Sequence, residues 1–211
     1  MFSGVIFDLD GTLADTDTLW TRAKASVLEE YGCSARDHRV DVYGGSLRAT
    51  ALALAAAVGT TDAAAIEKRL LDRLIAEVDE SSVRVADGAR ELTASLRETG
   101  VAVGVASNCP SILMSSILAL IGIDVPVAVG IDATLRPKPR PDVYLRACRR
   151  LALRPEQAVA VEDSDIGAAA ALSAGLRVVA VGDRIRRAVQ WRIPNLAVPF
   201  PVPRGANAYG T

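Results

Sequence analysis

Few reactive side chains outside the carboxylates are present: one histidine, His38, and three cysteines, Cys33, Cys109 and Cys148, in 211 residues. The cysteines are scattered and odd in number, and no pair has the CxxC spacing of a zinc or redox site. A disulfide framework is therefore not expected, and a reducing cytoplasm is the expected setting. Excess charge is missing too, because 24 Lys and Arg face 25 Asp and Glu. Without a basic footprint to neutralise phosphates along a strand, nucleic acid is set aside as a partner. Long hydrophobic runs are also absent: no apolar stretch approaches the roughly 20 residues needed to cross a bilayer. The N-terminus enters a strand pattern at once, with no basic region before it, so neither a membrane nor export is expected.

What the chain has in quantity is apolar residues, 50% of the total. That is enough for a substantial core, as one large domain or as one domain with an insertion. Short apolar runs recur at FSGVIFDL, from residue 2, VAVGVAS (101–107), VAVGI (127–131), AVAVE (158–162) and RVVAVG (177–182). Each has the continuous hydrophobicity of a strand buried on both faces. Helical patterns separate them, over Pro110 to Ile121, Pro141 to Leu153 and Ile166 to Ala174. Alternation of strand and helix predicts an α/β fold, a Rossmann-like parallel sheet with helices on both faces.

Residues 16–83 break the rhythm. TLWTRAKASVLEEYG, SLRATALALAAAVG and TDAAAIEKRLLDRLIAEV are rich in Ala, Leu, Arg and Glu and read as helices. The expected organisation is an α/β core over 1–15 and 84–211 with a helical cap over 16–83. The hinges fall near Leu13 to Asp15 and Val83 to Gly88. DGARELTASLRETG is the helix that returns to the sheet, with Asp87 as its expected N-cap. After residue 190 four prolines in QWRIPNLAVPFPVPRGANAYGT forbid a regular helix, so an extended tail is expected, with Trp191 and Phe200 packing on the body or on a second subunit.

Ligands of open parallel sheets sit beyond the carboxyl ends of the strands, and these ends are polar here. The first strand ends in Asp8 and Asp10, the second in Ser107 and Asn108, and the strand near 160 in Glu162 and Asp163. Lys138 follows the strand near 130, in PKPRPDVY. Two carboxylates about 4 Å apart repel by roughly 4 kcal/mol at an effective dielectric near 20. Four of them need more than one ammonium to be held together. Oxygen ligands without His or Cys select a hard divalent cation, and Mg2+ bridges carboxylates to a substrate phosphate. Ser107, with a helix start behind it, and Lys138 are suited to the same phosphate.

These motifs resemble those of the haloacid dehalogenase superfamily of phosphatases and phosphomutases, in its helical-cap subgroup. The DxDGT motif is met by Asp8, Asp10, Gly11 and Thr12, and the Ser or Thr that ends the second strand by Ser107. KPxPDxY is met by Lys138, Pro139, Pro141, Asp142 and Tyr144. EDSxxGxxAAxxAG is met by Glu162, Asp163, Ser164, Gly167, Ala170, Ala171, Ala174 and Gly175. The resemblance implies a Mg2+-dependent phosphatase of a small phosphorylated metabolite, or alternatively a sugar phosphomutase of the beta-phosphoglucomutase type. It implies Asp8 as the nucleophile that becomes an aspartyl phosphate and Asp10 as the general acid and base. It implies a metal held by Asp8, the Asp10 carbonyl and Asp163, with Glu162 near, and a monomer or homodimer. Gly11, Thr12, Ser107, Asn108, Lys138 and Arg48 are the candidates for contact with the phosphorylated substrate.

The chain departs from the family pattern where DTDTLW stands for DSExxH: Thr16 replaces Ser, Asp17 replaces Glu and Trp20 replaces His. Pro137 precedes Lys138 where Gly is common. His38 reads as a surface residue. Cys109 reads as packing, since only a helix start is near to lower its pKa.

Overall fold

The computed structural model describes residues 2–35, 40, 42–132 and 134–200, so His38 and the end of the tail lie outside the described residues. In chain order the elements are β1 (Gly4–Phe7), β2 (Ala14–Asp15), α1 (Asp17–Glu30), α2 (Leu47–Ala57), α3 (Ala63–Ala76), β3 (Arg84–Val85), α4 (Ala89–Glu98) and β4 (Ala102–Pro110). They continue as α5 (Ser111–Leu120), β5 (Val127–Ile131), α6 (Asp142–Arg150), a 3-10 turn at Pro155–Gln157, β6 (Ala158–Glu162), α7 (Asp165–Ser173), β7 (Arg177–Val181) and β8 (Trp191–Ile193).

Six strands form one sheet in the order β5-β4-β1-β6-β7-β8, and every neighbouring pair is parallel. From β1 the chain builds outward through β4 and β5, then returns to β1's other side for β6, β7 and β8. This reversal leaves a crevice beyond the carboxyl end of β1, because connections on its two sides diverge. Side chains alternate across the sheet. Val5 and Phe7 join Val105, Val161 and Val179 in one buried cluster, whereas Ile6 and Ala160 face the other way and pack with Tyr144, Ala147 and Ala171 of α6 and α7.

Between β2 and β3 the chain forms α1, α2 and α3, each burying one stripe. Leu19, Ala23 and Val27 of α1 meet Leu54 of α2 and Ile66, Leu70 and Leu74 of α3, and this cluster is continuous with the Val5 face of the sheet. Ser46 caps α2 by accepting from Ala49 N at 3.2 Å, and Asp62 caps α3 by accepting from Ala65 N at 2.9 Å. Such caps contribute about 1 kcal/mol each. The two ends of the helical segment leave the sheet side by side. Strands β2 and β3 pair antiparallel, Ala14 with Val85 and Asp15 with Arg84, and an Arg84–Asp15 ion pair of 2.7 Å clasps them.

Several expectations are corrected. Gly88, not Asp87, occupies the N-cap of α4, with no side-chain bond there. Strand β4 runs on to Pro110, which stands at the N-cap of α5 instead of within its first turn. Helix α6 stops at Arg150, short of Leu153, because the chain turns left-handed at Ala152, φ 55, and the Leu153 N–H closes back on Cys148 O at 2.9 Å. The described part of the tail is more than extended chain: Trp191–Ile193 adds a sixth strand beside β7. Its three-residue length hid it among prolines. Phe200 is buried and meets Phe2 edge-on at 6.5 Å, so this part of the tail packs on its own body.

Candidate active site

Register explains why the polar strand ends meet. Phe7 pairs with Val105 on one side and Val161 on the other. Asp8 is the first residue after β1, Glu162 the last of β6, and Ser107 lies two beyond Val105 on β4. The Asp8 N–H still donates to Val161 O at 2.9 Å, which fixes the carboxylate at the sheet edge. The chain then turns sharply, and Gly11 takes φ +83. A Cβ there would lie 2.0 Å from Asp163 Oδ2, so both the left-handed backbone and the approach of Asp163 require glycine. Helix α7 comes equally close to Glu162: a Cβ on Gly167 would lie 1.9 Å from Glu162 Oε1.

The deep side of the site is built around Lys138, whose side chain is only 3% exposed. Its Nζ donates to Asp8 Oδ1 at 2.5 Å and to Glu162 Oε1 at 2.6 Å. The Tyr144 hydroxyl also donates to Glu162 Oε1, at 2.6 Å, and the ring lies 4.8 Å from the ammonium. Burial opposes the charge on Lys138, but the Asp8 and Glu162 carboxylates outweigh it and hold the ammonium well above its ordinary value. Burial, then Glu162, pushes the Tyr144 phenol well up, so it remains a neutral donor. Asn108 ties three segments together. Its Oδ1 accepts from Lys138 N at 2.8 Å, and its Nδ2 donates to Gly44 O at 2.9 Å, across to the helical segment.

The outer side is built around Asp10. Thr16 Oγ1 and Trp20 Nε1 both donate to its Oδ1, at 2.7 and 3.2 Å, while Ser107 Oγ donates to its Oδ2 at 3.2 Å. Ser107 Oγ in turn accepts from Cys109 N at 3.0 Å. Asp163, on the far side of Asp8, accepts a hydrogen bond from the Tyr43 hydroxyl, and the Arg184 guanidinium lies 3.6 Å from its Oδ2 and 4.2 Å from the Tyr43 ring. A cavity of about 580 Å3 opens over this floor. Asp8, Asp10, Ser107, Asn108 and Lys138 line its base, and Trp20, Lys24, Val42 and Tyr43 line its helical side. Such a volume suits a small metabolite.

The Lys138 ammonium and the Arg184 guanidinium do not neutralise the four carboxylates of Asp8, Asp10, Glu162 and Asp163. Among the described residues, Asp8, Glu162 and Asp163 each offer an oxygen within 4.8 Å of the others, and all three are buried. Burial pushes Asp8 well above the carboxylate range, against Lys138, with Glu162 and Asp163 adding to the rise. Burial and then Glu162 raise Asp163 to about 8. A hard cation fits this all-oxygen donor set. Glu162 is the most committed of the three, since Lys138, Tyr144 and Ser164 already donate to it. Asp8 and Asp163 are the better placed to hold an ion, with Glu162 behind them.

Most of the residues expected at the site therefore do meet: Asp8, Asp10, Ser107, Asn108, Lys138, Glu162 and Asp163, with Gly11 and Thr12 in the turn below. Thr12 Oγ1 is the buried side-chain polar atom without a hydrogen-bond partner among the described residues. Arg48 is a correction. It does not line the cavity but pairs with Glu67 of α3 at 2.9 Å, half exposed. As the second residue of α2 it reaches along the helical surface to α3. Burial pushes the Cys109 thiol well up, in keeping with a packing role. Sequence reasoning missed Tyr43, Arg184 and Lys24. Tyr43, beside the Gly44-Gly45 pair, carried the one available signal; Arg184 and Lys24 carry none, because only the tertiary fold brings them to the cavity.

Comparison with known proteins fits this geometry. CbbY of Rhodobacter capsulatus is 31% identical over 211 aligned residues, covering 92% of this chain and 93% of that protein. Hexitol phosphatase B of Escherichia coli K12 is 32% identical over 185, covering 83% and 82%. The crystal structure of a CbbY variant from Rhodobacter sphaeroides in complex with xylulose-(1,5)bisphosphate superposes with a TM-score of 0.79 at 25% identity, covering 93% of this chain and 96% of that one. The family description of haloacid dehalogenase-like hydrolases matches residues 5–181, from the first buried strand through β7. With the sheet edge, the acidic floor and that match in agreement, the chain belongs to the haloacid dehalogenase-like hydrolase family.

Proposed function

We propose that this protein is a phosphoric monoester hydrolase that removes phosphate from a small phosphorylated sugar or sugar alcohol through an aspartyl phosphate on Asp8. The observation that carries the reading is the convergence of Asp8, Asp10, Ser107 and Lys138 on the floor of one cavity. The substrate class is supported by relatives that are named as hexitol and fructose-1-phosphate phosphatases. Residues 16–83 act as the cap that covers the floor and selects the substrate.

In this reading Lys138 holds Asp8 Oδ1, so Oδ2 is the oxygen that attacks phosphorus. The bond from phosphorus to the leaving oxygen breaks as the Asp8–phosphorus bond forms, and Asp10 gives its proton to the departing oxygen. Asp10 then takes a proton from water, whose oxygen attacks the same phosphorus and frees Asp8. Ser107 and Lys138 meet the charge on the transferring group. Mg2+, held by Asp8 and Asp163 with Glu162 behind, would keep both acids ionised and shield the approach of one anion to another. Exclusion of water by the cap strengthens each of these contacts.

The test is phosphate release from p-nitrophenyl phosphate with Mg2+. Asp8→Asn is expected to abolish it and EDTA to suppress it in the wild type; turnover retained by Asp8→Asn would sink the reading. A sugar 1-phosphate converted to its 6-phosphate, in place of free phosphate, would reveal the mutase alternative.

A further inference from the structure

Trp20, which stands where the family pattern has His, sits against the acid that moves the proton in the proposed reaction. Its Nε1–H and the Thr16 hydroxyl both donate to Asp10 Oδ1. Thr16 and Trp20 are four residues apart at the start of α1, where the Trp20 N–H closes the first turn on Thr16 O at 3.0 Å. That spacing puts the two side chains on one helix face, so they reach Asp10 as a preset pair.

The two donors are not equivalent. A threonine hydroxyl rotates and can accept as well as donate, whereas an indole N–H only donates. With both in place, the lone pairs of Oδ1 are used, and a proton on Oδ1 would point at an N–H that cannot turn away. Among the described residues Oδ2 receives only the Ser107 hydroxyl, at 3.2 Å, which leaves it a free lone pair. We infer that Trp20 is a positioning residue, which with Thr16 occupies Asp10 Oδ1 and so makes Oδ2 the oxygen that carries the proton to the leaving group.

The inference rests on the reading of Asp10 as the general acid. The balance of the step is simple: the proton leaves Asp10 Oδ2 for the leaving oxygen as the phosphorus–oxygen bond breaks, and Oδ2 recovers a proton from water in the second half. A histidine at this position could both donate and accept and would titrate near neutrality. Trp20 has neither property, so the orientation of Asp10 does not depend on the charge of this neighbour.

The leaving group separates positioning from mere support. An alkoxide needs a proton to depart, whereas p-nitrophenolate is a stable anion that leaves without one, and kcat/KM reports the step in which it leaves. Trp20→Phe keeps an aromatic ring and removes only the donor. It is expected to lower kcat/KM for fructose 1-phosphate about tenfold, the loss of one hydrogen bond to a charged group, and for p-nitrophenyl phosphate by under about threefold. An equal loss on both substrates would overturn the inference. A second readout needs no turnover. The sequence has two tryptophans, so the 15N NMR spectrum has two indole signals, and the one missing in Trp20→Phe belongs to Trp20. In Asp10→Ala that signal is expected to move while the Trp191 signal stays; an unmoved Trp20 signal would equally overturn the inference. Asp8→Asn separates this from failure of the underlying reading: activity in that variant sinks the phosphatase, while a dead Asp8→Asn beside an unselective Trp20→Phe sinks only the role of Trp20.

Discussion

The two sides of the candidate site's floor are built differently. On the deep side Lys138, Glu162 and Tyr144 are buried, mutually bonded and walled in by the backbone of α7 at Gly167. On the outer side Asp10 and Trp20 are half-buried and Tyr43 and Arg184 exposed, the last three contributed by the helical segment and by the loop after β7. A charge on the deep side has no solvent to fall back on, so each partner there is structural as well as chemical. A contact on the outer side can be remade by water. Changes on the deep side should therefore cost stability and activity together, and changes on the outer side activity alone.

The largest expected effect that tests this contrast is at Lys138. Lys138→Met removes the cation between two buried carboxylates, and breaking such a pair costs about 3–5 kcal/mol, or roughly 6–20 °C in melting temperature for a chain of this size. Thermal unfolding followed by circular dichroism checks it, together with loss of phosphate release. A melting temperature equal to the wild type would break the distinction between the two sides.

Next is Gly167→Ala. The added methyl would lie within 2.0 Å of three Glu162 carboxylate atoms. Overpacking of this kind costs about 1–3 kcal/mol. Because Glu162 orients Lys138, kcat should fall as well, and unfolding curves with kinetics on one preparation show both.

Tyr43→Phe addresses the outer side. It deletes the hydroxyl that bonds Asp163 but keeps the ring beneath Arg184. The expected result is a change of roughly 2- to 10-fold in kcat/KM, the range of one hydrogen bond, with an unchanged melting temperature. The smallest effect is expected at Arg48, whose exposed ion pair with Glu67 contributes at most about 1 kcal/mol. Arg48→Ala should leave KM and kcat at wild-type values in the same assay. A raised KM would return Arg48 to the substrate.

The difference between the two sides also marks what could be read before the fold was known. Asp8, Lys138, Glu162 and Asp163 end strands or lie in the loop after one, and strand ends of a parallel sheet converge whatever the details. Tyr144 belongs to the same motif as Lys138, yet its bond to Glu162 was not foreseen, because it depends on how α6 lies on the sheet. Arg48 was misplaced for the same kind of reason. A helix of alanines and leucines fixes which residues share a face but not the direction in which that face looks. Strand β8 escaped notice because three residues among prolines show no period, and pairing with β7 is what makes them a strand.

By itself the sequence determined the parallel sheet, through apolar runs too short for helices and separated by helical periods. It also determined the acid-rich edge, because each motif ends a strand or follows one. The tertiary structure decided the rest. It brought Trp20 and Thr16 to one oxygen of Asp10 and Tyr43 and Arg184 to Asp163, across 10, 6, 120 and 21 positions of sequence. The physical reason is that strand-end positions follow from local pattern and register, whereas a contact between a helical segment and the sheet depends on the packing of two surfaces, which no local pattern encodes.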